Sequence, residues 1–223
     1  MNKMTAVTQA DHLVDIATAD QGSPSNENTI INNLMGPGGL GRGTPYHYIF
    51  PLGLPAGQRI MARTQATAVN ATLEIALSAF QGAGQTCGQI VTIGDQTGDS
   101  GGGAVGFNVS ANVEGTYALL GVSPANKIIR EWWFAIGVQN LGSITSQVGL
   151  LDIGISPVGV SPQNITPLIT DFYIRGGAGT DHWYPNTAGP FLIPIPPNHE
   201  IYSRMQAGGA STHTADLIIY GAV

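Results

Sequence analysis

Phe50-Pro-Leu-Gly-Leu-Pro-Ala-Gly-Gln-Arg-Ile-Met-Ala-Arg-Thr-Gln-Ala66 returns later in the chain, without a gap, as Phe191-Leu-Ile-Pro-Ile-Pro-Pro-Asn-His-Glu-Ile-Tyr-Ser-Arg-Met-Gln-Ala207. Phe50, Pro55, Ile60, Arg63, Gln65 and Ala66 match Phe191, Pro196, Ile201, Arg204, Gln206 and Ala207, while Leu52 and Leu54 become Ile193 and Ile195. Self-similarity of this kind constrains the architecture before any local reading does. Each copy holds an alternating apolar run, a proline-led turn and a second alternating run, which predicts strand, tight turn, strand. Ile60, Ala62 and Thr64 fall on one face and Arg59, Met61, Arg63 and Gln65 on the other, as a period of two requires. Proline presets the first turn dihedral, and Gly57 or Asn198 supplies the position that tolerates a left-handed backbone.

The likeness extends outward. Upstream, Asp15-Ile16, Gly22 and Thr29 recur as Asp152-Ile153, Gly159 and Thr166; downstream, Thr72-Leu-Glu-Ile-Ala-Leu77 resembles Thr214-Ala-Asp-Leu-Ile-Ile219. Each downstream block reads as a strand closing its copy, with Leu73, Ile75 and Leu77 pointing inward. Three blocks in one order predict an internally duplicated, all-β, jelly-roll-like antiparallel β-sandwich. The expected organisation is an N-terminal arm (1–12), a first β-sandwich unit (13–83), a glycine-rich connection (84–112) and a second unit (113–223), the two units free to pack as one domain. Further strands are expected at 13–17, 29–31, 89–93, 117–122, 130–138, 148–155, 168–174 and 217–220. Trp132, Phe134 and Ile136 share a face opposite Trp133, and Leu217-Ile-Ile-Tyr220 is apolar on both faces, the mark of a covered central strand.

Composition supports this reading. The 31 glycines and 14 prolines of the 223 residues punctuate short apolar runs, which is all-β spacing. Only 10% of residues are charged, against roughly 25% in an ordinary soluble domain, so partner chains are expected to cover much of the surface. A net charge of −6 offers no basic stripe and argues against nucleic acid. One cysteine, Cys87, excludes an internal disulfide and a zinc cluster. No apolar run approaches a membrane span or a signal peptide, so production in a cytoplasm is expected, without membrane contact.

Several strings look catalytic and fail on context. Gly98-Asp-Ser-Gly-Gly102 surrounds the nucleophile of chymotrypsin-like proteases, which makes Ser100 the candidate of a serine-hydrolase alternative. Yet neither His12 nor His47 sits in that family's histidine setting. Gly36-Pro-Gly-Gly-Leu-Gly41 matches a dinucleotide fingerprint but leads into a strand rather than a helix. His182 with Asp181 and His213 with Asp216 lack ligand spacing. Glu131, Asp152 and Asp171 are carboxylates whose separation sequence cannot give. No catalytic residue, metal or cofactor is expected.

Arg63, Gln65, Arg204 and Gln206 occupy one face of equivalent strands. They read either as structural residues, with the guanidinium tied to loop carbonyls or paired with a carboxylate, or as inter-subunit contacts suited to arginine's planar fork. Trp133 is a further interface candidate, read as half-covered or buried against a neighbouring subunit.

The combination of Asp15-Ile-Ala, Gly22-Ser23, Phe50-Pro-Leu-Gly-Leu-Pro-Ala-Gly57 and Arg59-Ile-Met-Ala-Arg-Thr-Gln65 resembles a group of β-sandwich proteins encoded in tailed bacteriophages and prophages. The second unit keeps Asp152-Ile-Gly and Arg204-Met-Gln206 but has Pro197-Asn198 and Glu200 where the first has Ala56-Gly57 and Arg59. The resemblance implies a virion structural component, a head decoration or a part of the neck, tail or fibre, assembled in the host bacterial cytoplasm and partnered by itself and other virion proteins. The alternative is a lectin-like tail module in which Tyr46, Tyr48, Trp183 and Tyr184 stack on a host-surface glycan.

Overall fold

The computed structural model describes residues 12–22, 26–36, 46–66, 75–80, 86–94, 105–108, 110–138, 148–160, 164–176, 183–208 and 214–223. Among them there is no α-helix, and the strands in chain order are β1 (His12–Asp20), β2 (Asn28–Gly36), β3 (Gln58–Ala66), β4 (Ile90–Ile93), β5 (Val105–Asn108), β6 (Ser110–Ala111), β7 (Ala118–Val122), β8 (Glu131–Val138), β9 (Val148–Pro157), β10 (Thr166–Gly176), β11 (Trp183–Tyr184), β12 (Thr187–Phe191), β13 (His199–Ala207) and β14 (Thr214–Ala222). They form three sheets: β2-β1-β3; β12-β8-β14-β4, with β5 also on β14; and β11-β10-β9-β13, with β6 and β7 both on the far edge of β13.

The second of these is the middle layer, because its two long strands carry unbroken runs of apolar and aromatic side chains, at 132–136 and 217–220, that point to both faces. From β8, Trp132, Phe134 and Ile136 face the β9–β13 sheet together with Leu217 and Ile219 of β14, meeting Leu151, Ile153, Ile201 and Met205. The alternate residues Trp133, Ala135, Ile218 and Tyr220 face the other way, onto Leu13, Val14, Ile16, Ile31 and Met35 of the β1–β3 sheet. Each such side chain taken from water contributes about 1.5–3 kcal/mol, so two strands anchor two cores. The expected central strand at 217–220 is therefore present, covered on one face by β9 and β13 and on the other by β1 and β2.

Three expectations are corrected. The proline-rich arms do not fold back as hairpins: Leu52 bridges Cys87 and Ile195 bridges Ile129, each far from the strand that follows it. The turns themselves form as read, with Gly57 at φ 77° and Asn198 at φ 55°. Residues 84–112 are more than a connection, since β4 and β5 pair with β14. Among its described residues the first unit builds one sheet, and the part of its expected closing strand that lies among them, residues 75–77, forms no strand, with Ile75 37% and Leu77 54% exposed; residues 72–74 lie outside the described residues. The strand that closes the second unit, β14, belongs to the middle sheet, which then serves both neighbours.

Candidate functional site

The repeated blocks produce two matching constellations. In the first sheet β1 pairs β3 with Asp15 opposite Arg63, and in the third β9 pairs β13 with Asp152 opposite Arg204. Asp15 accepts Arg63 Nε at 2.8 Å and the backbone N–H of Asn33 at 2.8 Å. Asp152 accepts Arg204 Nε at 2.7 Å and the backbone N–H of Asp171 at 2.7 Å. Asn33 and Asp171 both sit at φ 53°, a left-handed backbone that short polar side chains tolerate better than most. In each sheet one carboxylate thus fixes an arginine on one neighbouring strand and a kinked backbone on the other.

The surroundings differ. On β13 the segment 110–122 wraps the outer edge: β6 runs parallel to it at Gln206 and Ala207, the chain turns, and β7 returns antiparallel from Ser203 to Glu200. The turn lays Glu114 and Tyr117 on Arg204, with Glu114 Oε2 2.7 Å from Nη1 and the tyrosine ring centroid 4.5 Å from the guanidinium carbon. Burial works against the Arg204 charge, but Asp152, Tyr117 and Glu114 outweigh it and hold its pKa above the ordinary value. Burial likewise pushes the Tyr117 phenol up, with Arg204 opposing.

On β3 nothing comparable is found among the described residues. Its outer edge pairs with no strand among the described residues, the Arg63 side chain is 73% exposed against 22% for Arg204, and Gln65 is exposed. The inward positions are open too: Ile60, Ala62 and Thr64 are exposed, whereas their counterparts Ile201, Ser203 and Met205 are fully buried. A long edge strand with unpaired N–H and C=O groups is a template for another chain. Of the five interface candidates, Arg63 and Gln65 therefore lie on an open edge, while Arg204 and Gln206 lie under the chain's own 110–122 segment.

Trp133 is placed differently from either reading of it. It is 4% exposed and packs edge-on against Phe50 of its own chain, with ring centroids 5.0 Å apart. The cover comes from segment 46–52, whose pairing partner sequence periodicity does not reveal. Tyr46 and Tyr48 belong to the same packing. Tyr46 donates its hydroxyl to Ile136 O at 3.1 Å and Tyr48 to Met35 O at 2.7 Å, and burial pushes the Tyr48 phenol well above its ordinary value. Their rings and hydroxyls stitch the first sheet to the middle one. Trp183 and Tyr184 pair with Gly176 and Arg175 at the end of β10, and their side chains lie outside the described residues, as do Ser100 and its loop.

A cleft of ≈ 330 Å³, lined by His47, Phe50, Glu131, Trp133 and Gly189 among others, opens between segment 46–51 and β12. Its walls are mostly apolar, and Trp133 Nε1 finds no acceptor among the described residues. Cys87 is half-buried and burial raises its thiol pKa, which keeps it protonated and weakly nucleophilic near neutrality. Among the described residues no group of His, Cys, Asp and Glu could hold a metal ion. Sequence reasoning missed Glu114 and Tyr117: nothing local marks them, since their meaning comes from an edge more than 80 residues away. Compared with known proteins, the chain matches no family model, no curated sequence and no solved structure.

Proposed function

We propose that the chain is a non-enzymatic structural protein of a tailed-phage virion, internally duplicated, that assembles into symmetric oligomers on the particle as a capsid decoration or a neck, tail or fibre component. The observation that carries this reading is β3: its counterpart β13 is clothed on its edge and buried on its inner face, while among the described residues nothing covers either on β3. The repeat's likeness to phage β-sandwich proteins, the matched Asp–Arg constellations and the low charge of 10% support it. An edge of this length is a template for pairing with another chain, and an assembling protein can keep it for a neighbour.

Mass spectrometry of purified head and tail fractions from particles of the host that carries the gene tests the proposal. The chain is expected at fixed stoichiometry in one fraction, and sedimentation of the isolated protein should show oligomers that grow with concentration. A chain absent from every particle fraction and monomeric at all concentrations would refute it.

A further inference from the structure

The second unit shows what a strand of this type looks like when its edge is filled. Along β13 the filling strand runs antiparallel beside Glu200–Ser203, preceded by a carboxylate and, three residues later, an aromatic ring, both seated on Arg204. The first unit reproduces the register and the oriented arginine that receive this strand. β3 keeps the register of β13 against its neighbour, and Arg63 is oriented by Asp15 as Arg204 is by Asp152. Arg63 Nη2 and Nε are engaged by Asp15, and Nη1 has no carboxylate among the described residues. β3 itself carries Arg59 and Arg63 and no acid, the Arg63 charge being met by Asp15 of β1.

We infer that the outer edge of β3 receives an extended strand from a different protein, laid antiparallel beside Arg59–Ala62 and bringing a carboxylate and, three residues on, an aromatic ring to Arg63. Main-chain hydrogen bonds supply affinity in such strand addition, and side chains at set positions supply selectivity. A second copy of this chain is a poor source: the two acid-x-x-aromatic segments that lie wholly among the described residues are in use, Glu114 and Tyr117 on Arg204 and Glu131 and Phe134 within β8 of the middle sheet, and in the third, Asp181-x-x-Tyr184, Tyr184 is already paired on β10. The inference rests on the reading of this face as an assembly surface and adds the chemistry of what docks there.

The test adds a fluorescent peptide, Asn-Val-Glu-Gly-Thr-Tyr-Ala-Leu-Leu-Gly-Val, the sequence of the internal filling strand, to the full-length protein. Fluorescence anisotropy reads binding, and hydrogen exchange by mass spectrometry reads where it occurs. Saturable binding is expected, with slowed exchange across residues 58–66 and unchanged exchange across 199–207. A peptide with Gln and Ala in place of its Glu and Tyr should bind about tenfold more weakly or worse, as should the Arg63→Ala protein, since a charge-assisted hydrogen bond is worth roughly that factor. The peptide changes need no altered protein and stand even if that variant folds poorly. Absence of binding, protection at 199–207 instead, affinity indifferent to both sets of changes, or β3 amides already as slow as those of β13 without peptide would each overturn the inference. A chain found in particles that fails the peptide test loses only this inference. Peptide binding by a chain absent from particles leaves the edge assignment standing and removes the virion role.

Discussion

Alanine at Asp152 and, separately, at Asp15 tests whether one constellation in two settings carries two different energies. Both changes remove a backbone cap, the carboxylate that accepts the Asp171 or the Asn33 N–H, and that loss should nearly cancel between them. The ion pairs do not cancel. Asp152 is 6% exposed and Arg204 22%, while Asp15 is 18% and Arg63 73% exposed. Breaking a buried pair costs about 3–5 kcal/mol, and Arg204 keeps Glu114, which puts Asp152→Ala near the low end. An exposed pair is worth about 0–1 kcal/mol. Asp152→Ala should therefore be the more destabilising by about 2 kcal/mol, a melting temperature lower by about 4–8 °C in a chain of this size. Urea denaturation with an unchanged dependence on denaturant measures it. Asp152→Asn, which keeps an oxygen for the Asp171 amide, should recover the cap and leave only the charge term. Equal losses from the two alanine variants, or the reverse order, would refute the reasoning.

Other outcomes follow from single contacts. Tyr220 accepts the Met35 N–H at 2.7 Å and donates to Asn33 O at 3.0 Å. Tyr220→Phe should cost about 1–3 kcal/mol and speed hydrogen exchange in β2 more than in β9. Gly57 and Gly221 separate strain from crowding. Gly57→Ala meets no atom within 4 Å but sits at φ 77°, so it should cost about 1–2 kcal/mol through the backbone alone. Gly221→Ala places a Cβ 2.7 Å from Ile129 Cγ2 and should cost about 1–3 kcal/mol by overpacking, part of which Ile129→Ala in the same chain relieves; chemical denaturation reads all three. With pH, burial raises the Tyr48 phenol in the fold above its unfolded value. Below about pH 10 both states keep the proton; above it the unfolded chain releases it first, so stability falls as pH rises. Thermal melts from pH 8 to 11 should show that fall, reduced in Tyr48→Phe.

Much of the fold was legible because strand formation is local in its signal. Alternation placed β1, β4, β7, β8, β9, β10 and β14, and the doubled apolar run at 217–220 announced a strand with both faces covered. The proline turns announced Gly57 and Asn198. Pairing was not legible, because period two says that a residue has an inner side without saying what lies against it. That is why the 50–54 and 191–195 arms read as hairpin arms although they bridge Cys87 and Ile129, and why Trp133 read as half-covered or as a subunit contact although Phe50 covers it. β12 was missed altogether, since Thr187-Ala-Gly-Pro-Phe191 carries no apolar rhythm and forms by docking on β8. At the candidate site, sequence alone found Arg63 and Arg204 through their repetition. Their difference in exposure arises from segment 110–122, for which the described residues of the first repeat offer no counterpart.

The shared middle sheet ties the fate of the outer layers together. Leu217 and Ile219 look to one side of β14 and Ile218 and Tyr220 to the other, so peeling away either flank bares half of the strand that the opposite flank needs as its floor. Neither flank has a floor of its own. The molecule should accordingly melt in a single cooperative step, with the amides of β8 and β14 opening only when everything opens, and no half-molecule surviving as a folded remnant.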